Sequence, residues 1–197
     1  MKTEPAIRAA RKVDASEMVA LIDCAGYGMP LWVWGGMRAD EASVLEVGRK
    51  RAMREVGGFS YRNTHIAEDA GAVMGMLIGY PIDDPYEAGD AASIPEAFRP
   101  LAELEAQVPG SWYVNVLAVH AEYRGRGIGS RLLGHAEQIA QRTRNGAMSI
   151  IFESRNLSAY RLYERSGYHE VARRPRFSFP GDATGSEEWI LMKKLVS

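Results

Sequence analysis

Cys24 is the only cysteine in the sequence. One thiol cannot close an internal disulfide, and it excludes a metal centre built on clustered thiolates. Histidines are few and scattered: His65, His120, His135 and His169 show no metal-ligand spacing, so no bound metal is expected. No apolar run approaches the roughly 18 residues that a membrane span needs. Met1-Lys2-Thr3-Glu4-Pro5 carries no apolar signal core, so the expectation is a cytoplasmic protein with no membrane attachment. Charge of one sign is also lacking. A formal net charge of −1 gives no support for wholesale binding to nucleic acid. Internal repeats and low-complexity tracts are missing too.

What remains is an ordinary globular composition, 46% hydrophobic and 25% charged over 197 residues, which suits one domain, 1–197. Ala6-Ile7-Arg8 reads as a short opening strand. Asp14 followed by Glu17 resembles a capping box, and Met18, Val19, Leu21 and Ile22 supply the apolar face of the helix it opens. That helix is expected to end near Gly26-Tyr27-Gly28. Residues 29–36, unusually aromatic with Trp32 and Trp34, read as a loop, and a second helix is expected over 40–56 before Gly57-Gly58. A β-hairpin follows, with arms 63–68 and 72–80 about a turn at Asp69-Ala70-Gly71. Residues 81–110 read as an insert with a short helix from Pro95 to Gln107; a connection this long is usually functional or mobile. Beyond it come a strand over 112–119, a helix over 130–144 closed by Asn145-Gly146, a strand over 148–152, a short helix capped by Asn156 and ended by Gly167, and closing strands over 168–173 and 188–194.

The segment Arg124-Gly125-Arg126-Gly127-Ile128-Gly129 lies between a strand and a helix. That order exposes backbone N–H groups at the positive end of a helix dipole, a setting for phosphate. A P-loop needs Lys before Ser or Thr after the last glycine, and Ile128-Gly129-Ser130 has none. A dinucleotide fingerprint needs Gly-x-Gly-x-x-Gly directly after a first strand, and both the spacing and the position here differ. Gly125, Gly127 and Gly129 permit a tight turn with the backbone close to a ligand, while Arg124 and Arg126 add positive charge.

Arg-x-x-Gly-x-Gly after a strand ending in Leu-Ala-Val resembles the acetyl-CoA loop of the GCN5-related N-acetyltransferases. Downstream, Asn156-Leu157-Ser158-Ala159-Tyr160-Arg161-Leu162-Tyr163-Glu164-Arg165-Ser166-Gly167-Tyr168 is similar to that family's Asn-x-x-Ala-x-x-Leu-Tyr-x-x-x-Gly-Phe pattern, with Tyr168 in place of Phe. The resemblance covers about 112–175 closely and the preceding part only in the order of elements. It implies an α/β GNAT fold, with a mixed, mostly antiparallel central sheet and helices on both faces. It implies acetyl-CoA as acyl donor and an amine as acceptor, with direct attack and no covalent enzyme intermediate. Cys24, in the first helix, is no nucleophile in this scheme.

The resemblance also distributes roles. Leu117, Ala118 and Val119 would bind the pantetheine arm, with the Leu117 amide on the acetyl carbonyl. Amides of Arg124, Gly125, Arg126, Gly127, Ile128, Gly129 and Ser130 would hold the pyrophosphate. Asn156, a good N-cap in its own right, would touch the pantetheine. Tyr163 would protonate the leaving sulfur, since a phenol of ordinary pKa about 10 keeps its proton at neutral pH. Several protein-acetylating members carry a glutamate where Tyr113 stands here, which leaves Glu103, Glu105 or water as general base. Tyr27, Trp32 and Trp34 are read as acceptor-pocket lining or as core. A small-molecule acceptor is favoured over a protein or peptide, and a non-catalytic CoA-sensing module is the competing class. A homodimer is left open.

Overall fold

Why these residues adopt their folds is clearest in the hairpin. In a computed structural model, which describes residues 4–39, 43–87, 94–182 and 187–196, strands β2 (Thr64–Asp69) and β3 (Ala72–Pro81) are joined through Ala70 and Gly71 at φ 48° and 81°. Two positive φ values make a turn whose twist matches that of the flanking strands. The remaining strands are β1 (Ala6–Ala9), β4 (Trp112–Val119), β5 (Ala147–Glu153), β6 (His169–Pro175) and β7 (Glu188–Leu195). The helices are α1 (Ala15–Ala25), α2 (Met29–Gly36), α3 (Val44–Ala52), α4 (Arg99–Glu105), α5 (Ile128–Arg142) and α6 (Leu157–Arg165). Strand order is β1-β2-β3-β4-β5-β7-β6. Pairing is antiparallel at β1/β2, β2/β3, β5/β7 and β6/β7 and parallel at β4/β5. This is the expected α/β class with a mixed, mostly antiparallel sheet.

The chain forms two compact units, one of residues 1–79 and 115–135, the other of 80–114 and 136–197. In the first, α1 buries Met18, Val19, Leu21 and Ile22 as its spacing predicts, against Ile66, Met76, Ile78, Val116 and Ala118 of the strands. Three readings of this unit need correction. The aromatic stretch 29–36 is a helix, α2, with Pro30 in its first turn, where the missing N–H of proline costs nothing. Its near-uniform apolar character gave no polar face to reveal a period. Trp34 is buried on Gly48 of α3, where a methyl group would stand 2.7 Å from the indole. It is therefore core and not pocket lining, while Tyr27 and Trp32 are partly exposed. The second helix runs only over 44–52, capped by the Ser43 hydroxyl on the Glu46 amide; its expected start at Asp40 lies outside the described residues. Asp14 likewise does not cap α1 with its side chain. Its carboxylate accepts from the Arg11 amide at 2.6 Å and from Arg8 at 2.8 and 2.9 Å.

In the second unit β5 is buried along its whole length and β4 joins it in parallel at Trp112, Tyr113 and Val114. Within residues 81–110, Leu104 and Val108 are fully buried. The ends of that segment are closed by Ile82 N–H donating to Ser111 O at 2.8 Å. α5 ends at Arg142, two positions before the expected end at 144. Arg144, at φ 58°, takes the left-handed position, with Arg144 N–H on Gln141 O at 3.1 Å and Asn145 N–H on Ala140 O at 2.9 Å. This paired bonding satisfies the last carbonyls whichever residue stands there.

Candidate active site

The strand that leads into the glycine-rich turn is set by backbone contacts in the first unit. The β2/β3 register shifts between Ala67 and Glu68, opposite Gly75 and Val73, leaving Met74 as the extra residue of a bulge. A bulge re-aims the backbone of its strand. Here the Met74 carbonyl accepts the His120 N–H at 3.0 Å, just where β4 ends. Beside it, a Cβ on Gly75 would stand 2.6 Å from the Ala118 carbonyl oxygen and 3.2 Å from the Val119 α-carbon. Gly75 and the bulge thus fix the backbone of Ala118 and Val119. Sequence reasoning overlooked them, although an isolated glycine inside a strand is itself a signal of close backbone approach. Val116 and Ala118 are buried, while Leu117 and Val119 are half-buried, so the side chains alternate as a strand requires.

The turn begins with a single 3-10 turn at 121–123. Gly125 and Gly127 adopt φ 73° and 78°, and a Cβ on either would meet nothing within 4 Å. Glycine is needed at both for the backbone sign of φ, and the loop's outer side is open enough for a ligand to reach the main chain. α5 starts at Ile128, two residues before the expected position. Arg131 N–H already bonds Gly127 O at 3.1 Å. The amides of Ile128, Gly129 and Ser130 are therefore those of the first turn, which have no acceptor inside the helix. Ile128 is 2% exposed and pins this turn. The two arginines bond the main chain: Arg124 Nε donates to Val119 O at 3.1 Å and its Nη2 reaches Cys24 Sγ at 3.3 Å, while Arg126 Nη2 donates to Glu122 O at 2.8 Å. Both side chains are exposed. Arg124 engages the carbonyl of Val119, one of the expected pantetheine positions.

The downstream motif lies in the second unit. Asn156 Oδ1 accepts the Ala159 N–H at 3.1 Å, the N-cap expected of it, and also the Ser158 hydroxyl at 2.9 Å. Tyr163 is buried on α6, edge-on to Phe152 of β5 at 5.0 Å between ring centroids and tilted against Tyr168 at 6.0 Å. Asn156 thus caps the helix that carries Tyr163. Leu117 to Ser130 form one continuous stretch of the first unit.

The two carboxylates proposed from the insert separate cleanly. Glu103 is exposed and paired with Arg174 at 2.6 Å. Glu105 is half-buried and accepts the Tyr86 hydroxyl at 3.2 Å. Burial pushes its carboxyl above the ordinary range, with the Tyr86 hydrogen bond opposing. Burial also raises the Tyr113 hydroxyl, and the charge of Glu105 adds to that rise. No helix among the described residues is long and apolar enough to cross a membrane.

A family profile described as the acetyltransferase (GNAT) family matches residues 37–168, more than half of the chain. A solved acetyltransferase is 21% identical, with 98% of this chain and 100% of that chain covered and a TM-score of 0.67. The protein yncA of Salmonella typhimurium, solved with its cofactor acetyl-CoA, is 18% identical, with 99% and 95% covered and a TM-score of 0.60. At such identities these likenesses concern the fold. An uncharacterized protein of Mycobacterium leprae is 33% identical over 86 residues, 44% of this chain and only 22% of that protein's own length.

Proposed function

Because the chain belongs to the acetyltransferase (GNAT) family, we propose that residues 1–197 act as one N-acetyltransferase domain that moves the acetyl group of acetyl-CoA to a primary amine by direct attack. The acceptor is a small molecule, and residues 81–110 contribute to its side of the site. The observation that carries this reading is the loop geometry. Two glycines in left-handed conformation, with open space where their side chains would stand, deliver the chain to a helix start whose first-turn amides have no acceptor inside the helix. That is an anion site of the kind a pyrophosphate fits.

In this reading Arg124, Gly125, Arg126, Gly127, Ile128, Gly129 and Ser130 hold the pyrophosphate. Leu117, Ala118, Val119 and Asn156 take the pantetheine. The Leu117 amide donates to the oxyanion that forms when the amine adds to the thioester carbonyl carbon, where a fixed donor is worth more than water. Tyr163 gives its hydroxyl proton to the sulfur as the C–S bond breaks. It regains a proton from the nitrogen as the amide forms. The packing of its ring on Phe152 and Tyr168 restricts where that hydroxyl can point.

The test is thiol release from acetyl-CoA against polyamines, amino acids, aminoglycosides and peptides with free N-termini. Wild type should turn over at least one small amine. Tyr163→Phe should lose about 100-fold in kcat with calorimetric acetyl-CoA affinity unchanged. Turnover confined to peptides would move the acceptor to a protein. Binding of acetyl-CoA with no thiol release from any amine would replace the enzyme with a CoA sensor.

A further inference from the structure

We propose that Glu105, together with Tyr80, Tyr86 and Tyr113, forms a subsite that binds the ammonium group of a primary amine and takes its proton. The binding part stands by itself; the proton step rests on the acetyl-transfer reading above. All four residues belong to the second unit. Glu105 is the last residue of α4, held in place by the buried Leu104 before it and Val108 after it. Tyr80 at the end of β3 and Tyr113 on β4 meet edge to face, 5.7 Å between ring centroids at 77°. Tyr86, on the segment after β3, hydrogen-bonds Glu105 at 3.2 Å.

The one carboxylate of the cluster is that of Glu105. Among the described residues Glu105 has no cationic partner; its hydrogen bond comes from a phenol. A half-buried carboxylate loses hydration that a neutral hydroxyl only partly replaces. Its neighbour Glu103, two residues away, is exposed and paired with Arg174 of β6. Other titratable groups on the elements packed against α4 are committed elsewhere or apart from it. Arg173 pairs with Glu170 and Glu188, and Lys194 of β7 with Glu137. Glu96, His169 and Lys193 form no ion pair with Glu105. An arriving ammonium is the chemistry that completes the site. It carries three donors for a carboxylate and phenol oxygens, and its charge is favoured by the faces of aromatic rings.

The same surroundings suit Glu105 to take a proton. Burial makes it a stronger base than a solvated carboxylate. The phenols cannot compete for that role: the Tyr86 hydroxyl is pushed up to about 12, and burial raises those of Tyr80 and Tyr113 further. They remain neutral donors. In the reaction, one ammonium proton passes to a Glu105 oxygen and the freed nitrogen lone pair adds to the thioester carbon. The second nitrogen proton replaces the one that Tyr163 gives to sulfur.

The experiment uses tyramine, spermidine and lysine amide as probes, with wild type, Glu105→Gln, Tyr86→Phe and, as control, Glu103→Gln. Calorimetry at neutral pH should give wild-type binding of at least one probe, weakened about tenfold by Glu105→Gln and unchanged by Glu103→Gln. With acetyl-CoA present, kcat/KM of Glu105→Gln should fall about 100-fold at neutral pH. The loss should shrink at alkaline pH, where free amine no longer needs a base; a merely structural residue would show no such recovery. If Glu105→Gln does not fold, Tyr86→Phe should still weaken probe binding severalfold. Probe binding that depends on Glu105 without any thiol release would keep the ammonium site and remove the acetyl-transfer reading. Absence of probe binding to wild type, or equal binding and an equal pH profile in Glu105→Gln, overturns the inference.

Discussion

Gly75 of β3 lies so close to Ala118 of β4 that a single methyl group on it would stand 2.6 Å from the Ala118 carbonyl oxygen. Backbone atoms cannot rotate aside as a flexible side chain can, so the strand itself would have to move. Gly75→Ala is therefore expected to destabilise the protein by about 1–3 kcal/mol, as overpacking does. It should also weaken acetyl-CoA binding, because the displaced atoms belong to Ala118 and Val119. Urea denaturation and calorimetry measure the two effects. Wild-type values in both would show that this close approach has no consequence for the strand.

Such contacts explain which features could be read from the sequence. Periodicity located α1 and α5, because each has one apolar and one polar side, and the turn at Asp69-Ala70-Gly71 between two strand-like runs located the hairpin. The loop and the Asn156-to-Tyr168 motif were legible because their glycines, cap and tyrosine carry local signals. α2 was not: with Trp32, Val33 and Trp34 in succession it offers no period, and the seat of Trp34 on Gly48 is a contact that only the folded chain makes. The role of Asp14 was misread because its carboxylate is taken by Arg8 and the Arg11 amide, and Arg8 is itself placed by the pairing of β1 with β2, where it also bonds Glu68. Likewise the contrast between Glu103 and Glu105 depends on Arg174 and Tyr86, respectively 71 and 19 residues distant.

Asp14 gives a prediction about pH. Its carboxyl is held below the ordinary range, chiefly by the hydrogen bonds from Arg8, with the Arg11 amide also contributing. The unfolded chain therefore takes up that proton at a higher pH than the folded one. The stabilisation is complete above the unfolded value of about 4 and declines as pH falls through the lower folded value. Asp14→Asn should cost about 2 kcal/mol at neutral pH and flatten the decline in stability below about pH 4. Denaturation midpoints of the two proteins across the acid range provide the comparison. Parallel curves would mean that Asp14 does not contribute to acid sensitivity.

A second charged cluster fixes the end of β5, three residues before the Asn156 cap. Glu153 pairs with Arg155 at 2.6 Å and Arg176 at 2.9 Å, and Arg176 also pairs with Asp182. The side chains of Glu153, Arg176 and Asp182 are at most 2% exposed. Removing Arg176 takes from two buried carboxylates, Glu153 and Asp182, a cation that they share. Arg176→Met is expected to destabilise by about 3–5 kcal/mol. Adding Glu153→Gln to it should recover part of that loss, because one of the two buried carboxylates is then neutral. Chemical denaturation of both single variants and the double variant forms the cycle. Strict additivity would deny that the two residues are coupled.

The phosphate loop can be tested by two glycines that differ only in conformation. Neither Gly127 nor Gly134 would bring a Cβ within 4 Å of another atom, but Gly127 is at φ 78° and Gly134 lies inside α5. At Gly134 a methyl group removes backbone freedom from the unfolded chain and suits a helix, so Gly134→Ala should stabilise by about 1 kcal/mol and leave acetyl-CoA binding intact. At Gly127 a branched side chain opposes the left-handed backbone, so Gly127→Val should shift the turn and displace the amides of Ile128, Gly129 and Ser130. The expected result is loss of acetyl-CoA affinity by at least about tenfold, equivalent to about 1.4 kcal/mol, with the fold retained. Calorimetry with acetyl-CoA and with desulfo-CoA, which shares the pyrophosphate, locates the defect. Unchanged affinity for both in Gly127→Val would remove the pyrophosphate from this loop, whatever the acceptor proves to be.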